Sequence, residues 1–121
     1  MGVRKSAATL SAAEVTDLQD AFATVYQLRD DRGYAFYAGV HGLPLPVYCE
    51  HGTPLFLPWH RAYLYFFERA LTDALRVTRG DQTVSVSLPW WDWTSAVAHA
   101  TGLPAAYQTD DAGGSLSLIH I

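Results

Sequence analysis

The sequence predicts a mainly α-helical domain, a bundle of helices interrupted by one long proline-rich loop. Three observations point there. Residues 6–29 carry a capping signal followed by an apolar stripe at three- and four-residue steps. Residues 59–79 form an uninterrupted run of helix-compatible residues behind a proline. Between them, residues 42–58 hold four of the six prolines, Pro44, Pro46, Pro54 and Pro58, a density that no helix tolerates.

The elements follow in order. In the first helix Ser11 and Glu14 make a capping box, and Val15, Leu18, Phe22, Val25 and Leu28 line one face. Gly33 is expected to cap or hinge its end. Residues 34–41 predict a short second helix with His41 in its last turn. The 17-residue loop is rich in Leu, Val, Tyr and Phe, so it is expected to be ordered and functional. Pro58 is expected at the start of the third helix, which runs to about Arg79. The first half of that helix is apolar almost all round, which predicts a buried position. Gly80-Asp81 turns the chain, and Val84 and Val86 alternate with serines in a short extended segment. Trp90, Trp91 and Trp93 are expected to pack a turn against the core. Residues 95–121 carry little signal, and Gly113-Gly114-Ser115 reads as a linker.

Composition excludes several functions. With 121 residues the chain is one domain at most. Half of the residues are apolar and 17% are charged, too few charges for a disordered chain. A net charge of −4 leaves no basic footprint for nucleic acid. No apolar run is long enough for a membrane span, and a mean hydropathy of +0.03 agrees. The single cysteine excludes an internal disulfide. No apolar segment follows Arg4 and Lys5, so no secretory signal is expected.

Three of the five histidines, His41, His51 and His60, fall within twenty residues. One lies at a helix end, one in the rigid loop and one early in the third helix, so three elements can bring them to one point. Neutral imidazoles suit copper, zinc, iron or nickel. The His-Glu-x-x-His pattern of zinc proteases is absent. Cys49, two residues before His51, is either a fourth ligand or a small buried hydrophobe, and spacing does not choose between them. Asp92, among indoles, needs a partner if buried, and Arg61 is the expected one. Glu68 and Arg69 are expected to pair similarly.

The stretch from His51 to Leu71, with Phe56-Leu-Pro-Trp-His60-Arg61 at its centre, closely resembles the first copper-binding region of the type-3 copper proteins. These are the tyrosinases, catechol oxidases and molluscan-type haemocyanins. Leu88-Pro-Trp-Trp-Asp-Trp93 looks like the Pro-Tyr-Trp-Asp-Trp signature that follows it, with Trp90 in place of the commoner tyrosine. The resemblance covers roughly residues 3–110.

It implies that the chain is the N-terminal half of a tyrosinase-type helical bundle. By that likeness His41, His51 and His60 hold the first of two coppers, and a thioether joins Cys49 to His51; Arg61 and Asp92, from their positions in the sequence alone, are candidates to support the site from behind. The implied function is a copper-dependent phenol oxidase that uses O2 to hydroxylate monophenols and to oxidise o-diphenols to o-quinones. Its partners would be a phenolic substrate and O2, with no nucleic acid and no membrane. The alternative is a haemocyanin-like O2-binding or mononuclear copper-binding half-domain without oxidase activity. A second copper needs a His-x-x-x-His pair and a later histidine, whereas only His99 and His120 remain. Residues 1–114 are therefore expected to be a truncated central domain and 115–121 a non-native tail. The apolar third helix would leave an exposed face through which two chains can pair as a homodimer. Nothing in the sequence indicates a copper-delivery helper.

Overall fold

A computed structural model describes residues 2–42, 48–104 and Tyr107. A 3-10 turn at Ala7–Thr9 precedes four helices: α1 (Ala12–Gln27), α2 (Tyr34–His41), α3 (Phe56–Arg79) and α4 (Ala96–Thr101). Among the described residues no strand forms, and the one β-bridge joins Ser6 and Trp90 in parallel. No described helix is long and apolar enough to cross a membrane. The proposed tail 115–121, His120 and the prolines at 44 and 46 lie outside the described residues.

Helix α1 begins at Ala12 rather than at residue 6. Ser11 has extended backbone, its hydroxyl accepts from the Glu14 N–H, and the Glu14 carboxylate accepts from the Ser11 N–H. That reciprocal cap stops the helix at its own N-terminus. Gly33 does not cap α1. It is the residue before α2, with φ −84°, and a side chain there would meet the Leu28 carbonyl oxygen at 2.2 Å. Close backbone approach, not a left-handed turn, requires the glycine.

Helix α3 starts at Phe56, two residues before the expected proline. Pro58 fits within the first turn because N–H groups there have no intrahelical partner. At the other end Gly80 takes φ 64° and caps the helix, at the point where the sequence predicts a turn.

The core forms between α1 and the second half of α3. Leu18, Ala21, Phe22 and Val25 meet Phe67, Leu71, Ala74, Leu75 and Val86. Phe22 and Phe67 contact edge to face at 5.7 Å. Arg79 ties the end of α3 to α1 through Asp17 and Asp20, at 2.5 and 2.6 Å. The segment with Val84 and Val86 pairs with no strand among the described residues. It lies along α3, where the Thr72 hydroxyl and Arg76 Nε donate to the carbonyls of Val86 and Val84.

The first half of α3 is not buried as expected. α1 covers only the later turns, leaving Leu57 73% and Phe66 55% exposed, with Phe56 and Tyr65 also open. The tryptophans also depart from expectation: Trp90, Trp91 and Trp93 are all exposed. The backbone of Trp90, not its indole, anchors the turn, exchanging bonds with Lys5 and Ala7. Helix α4 carried no strong periodic signal. Its available cues were Ser95, whose hydroxyl accepts from Ala98 N–H, and Gly102 after its last turn.

Candidate metal centre

Each of the three histidines is positioned by a different local device. His41 is the last residue of α2. That helix is held against α3 by two phenols: Tyr63 donates to the Tyr37 carbonyl at 3.1 Å, and Tyr37 donates to the Phe66 carbonyl at 3.3 Å. Tyr63 also packs its ring 5.5 Å from that of His41. Burial pushes the Tyr63 hydroxyl up to about 12, so it stays protonated and able to donate.

His51 lies in the loop ahead of α3. Gly52 follows it with φ 71°, a left-handed conformation that favours glycine. Thr53 then closes the turn, donating to Glu50 and accepting from the Leu55 N–H through its hydroxyl. Its carbonyl accepts from the Phe56 N–H, which aims the chain into α3.

His60 sits one turn into α3, and its Nδ1 lies 2.7 Å from the Phe56 carbonyl oxygen. A carbonyl only accepts, so Nδ1 carries the proton and Nε2 keeps a free lone pair. The spacing of four residues is one helical turn, and that period is the signal the sequence carries for the Phe56–His60 contact. The Phe56 ring also packs 4.4 Å from the imidazole of His60.

These devices bring His41, Cys49, His51 and His60 together, with one donor atom from each lying within 4.8 Å of all the others. Ring centres of the histidines are 5.2–6.0 Å apart. Cys49 is buried, His41 and His60 are half-buried and His51 is exposed. Burial, with the neighbouring His60 and His51, holds His41 below the usual imidazole range, so its ring is neutral at neutral pH. Burial and the Glu50 carboxylate push the Cys49 thiol up. Its Sγ lies 3.3 Å from Nε2 of both His51 and His60.

The donor set fits a borderline or soft cation. It offers three ring nitrogens and one sulfur, within a spread that modest closure reduces to the diameter of a coordination sphere. Beside it Phe36, Tyr37, Val40, Trp59, Tyr63 and Phe66 line an apolar groove of about 430 Å³.

Two expected contacts are not made. Asp92 Oδ1 takes the Thr94 N–H and hydroxyl, closing its own turn. No bond joins it to Arg61, which is exposed, and neither contacts the three histidines through a hydrogen bond among the described residues. Glu68 does not pair with Arg69. Its buried carboxylate takes Arg4 through two bonds, at 2.8 and 2.9 Å, and the Leu88 N–H at 2.7 Å. The partner is 64 residues away, beyond any local pattern.

Residues 31–116 match the family model for the common central domain of tyrosinase. Hemocyanin 2 of Megathura crenulata is 36% identical over 106 residues, covering 80% of this chain and 3% of that protein. The tyrosinase of Streptomyces glaucescens is 34% identical over 121 residues, covering 95% of this chain and 39% of that protein. Deoxygenated hemocyanin from Rapana thomasiana superposes with a TM-score of 0.69 at 31% identity, over 88% of this chain and 26% of that one. The chain thus spans well under half the length of each. These matches cover most of its helical framework, and the chain belongs to the type-3 copper family built on the common central domain of tyrosinase, a family that binds copper.

Proposed function

We propose that this chain supplies the first-copper half of an O2-using phenol oxidase of the tyrosinase and catechol oxidase kind, with His41, His51 and His60 as the ligands. Residues 1–114 are read as part of the central domain. The observation that carries the reading is the His60 ring. With its Nδ1 proton committed to Phe56, its Nε2 faces the point that His51 Nε2 and His41 also approach.

Copper bound there, with a second copper held by histidines from outside this chain, would supply the electron exchange with O2 needed to hydroxylate a phenol or oxidise a catechol. The chain's own residues prepare the site. Tyr37 and Tyr63 fix α2 against α3 and so set the position of His41. Phe56 and Trp59 pack against the His60 ring, with ring centres 4.4 and 4.9 Å away. Cys49 Sγ stands 3.3 and 4.0 Å from the two ring nitrogens of His51. The ring carbon bonded to both nitrogens is the atom at which the proposed thioether forms. Closing that S–C bond would remove the thiol and ring hydrogens as two protons and two electrons, which O2 would take up as hydrogen peroxide.

A copper titration of the purified chain tests the ligand set. About one copper per chain is expected, and His60→Ala should abolish uptake. Unchanged uptake in that variant refutes the assignment. The second reading, a dioxygen carrier, is favoured by the likeness to hemocyanins. Oxidation of a monophenol and a catechol by the complete protein separates the two: turnover supports the oxidase, and reversible O2 binding without turnover supports the carrier.

A further inference from the structure

The sulfur of Cys49 stands in a tighter relation to the histidines than a thioether requires. It is 3.3 Å from His51 Nε2 and also 3.3 Å from His60 Nε2, a ring that the proposed crosslink does not involve. Zinc–sulfur and zinc–nitrogen bonds of about 2.3 and 2.0–2.1 Å, set at a tetrahedral angle, place the two donors about 3.5 Å apart. Both contacts are within a few tenths of an ångström of that edge. The fourth donor, on His41, lies within the same 4.8 Å cluster, and Cys49 is buried among the rings.

We propose that, while Cys49 is a free thiol, Cys49, His41, His51 and His60 form a closed four-ligand site for Zn2+. The inference rests on the reading that the three histidines face one metal. Binding replaces the thiol proton with a zinc–thiolate bond and releases that proton. Zinc has no redox chemistry, so it leaves the sulfur unchanged. An S–C bond to His51 removes the thiolate, so the crosslinked chain cannot offer the fourth ligand. The crosslink would thus act as a selectivity device, closing the zinc state and leaving three imidazoles for copper.

The test uses the full chain prepared without copper under reducing conditions, with its mass showing the free thiol. Zn2+ is titrated against a chromophoric chelator, and Co2+ serves as a coloured stand-in. One ion per chain is expected, with a sulfur-to-cobalt charge-transfer band. Cys49→Ser should lose that band and bind zinc more weakly by more than the roughly 10–100-fold that an outer-shell partner is worth, while still taking copper. A second readout needs no variant: zinc should protect Cys49 from alkylation, and a chelator should restore the reaction. Absence of the band, an unchanged zinc affinity in Cys49→Ser, or alkylation indifferent to zinc each overturns the proposal. None of these results touches the histidine assignment, which falls only if His60→Ala still takes up copper.

Discussion

Replacing Arg4 with methionine would isolate the one buried carboxylate of the described core. The Glu68 side chain is 5% exposed, and its two oxygens receive two bonds from Arg4 and one from the Leu88 N–H. Methionine keeps much of the apolar stem of Arg4 but leaves the carboxylate with one donor. Hydrogen bonds to a charged group are worth about 1.5–3 kcal/mol each. Two are lost, but Arg4 is itself 37% exposed, so water can reach part of the vacated volume. Discounting by about half for that access gives a loss of about 1.5–3 kcal/mol. At about 4 °C per kcal/mol for a chain of this size, Tm should fall by about 6–12 °C. Glu68→Gln should cost less, about 1–2 kcal/mol, because it retains an acceptor for Leu88. Arg69→Met, on the exposed side of the same helix, should stay within about 0.5 kcal/mol. Urea unfolding followed by helical circular dichroism measures all three. Equal losses for Arg4→Met and Arg69→Met would refute the clamp and restore the local pairing of Glu68 with Arg69.

Leu71 is fully buried between α3 and α1, and Leu71→Ala should cost about 2–5 kcal/mol in the same assay; a loss below about 1 kcal/mol would show that the core is not packed as described. Gly33→Ala should cost about 1–3 kcal/mol, because the new Cβ meets the Leu28 backbone rather than a movable side chain, and a neutral result would contradict that approach. Bonds from Lys5 and then from the Ser11 N–H and hydroxyl hold the Glu14 carboxyl down to about 2. Its folded value lies below its unfolded one, so its contribution is present above about pH 4.5 and is lost as pH falls towards about 2. Acid unfolding of Glu14→Gln should be less steep across that window than that of the parent chain, and superimposable profiles would remove the capping box as the cause.

The helices and the histidine cluster were legible in the sequence because their signals are local. Ser11 and Glu14 satisfy each other within one turn, and Gly80 can take the left-handed conformation that ends α3. His41, His51 and His60 fall on three separate local elements, so their number and spacing already limited the metals that suit them. Tertiary structure decided whatever depended on distant atoms. Glu68 finds Arg4 across 64 residues because burial of a carboxylate demands a donor, whereas its neighbour Arg69 points to solvent. Asp92 turns inward on Thr94 because a two-residue Asx turn satisfies it without Arg61. The exposure of the first half of α3 and of the three tryptophans could not be read from apolarity, because apolarity states a preference for burial and only neighbouring chain provides it. The placing of Cys49 Sγ between two imidazoles is likewise a property of the folded loop and α3 together, since the Cys-x-His spacing alone places the sulfur near only one of them.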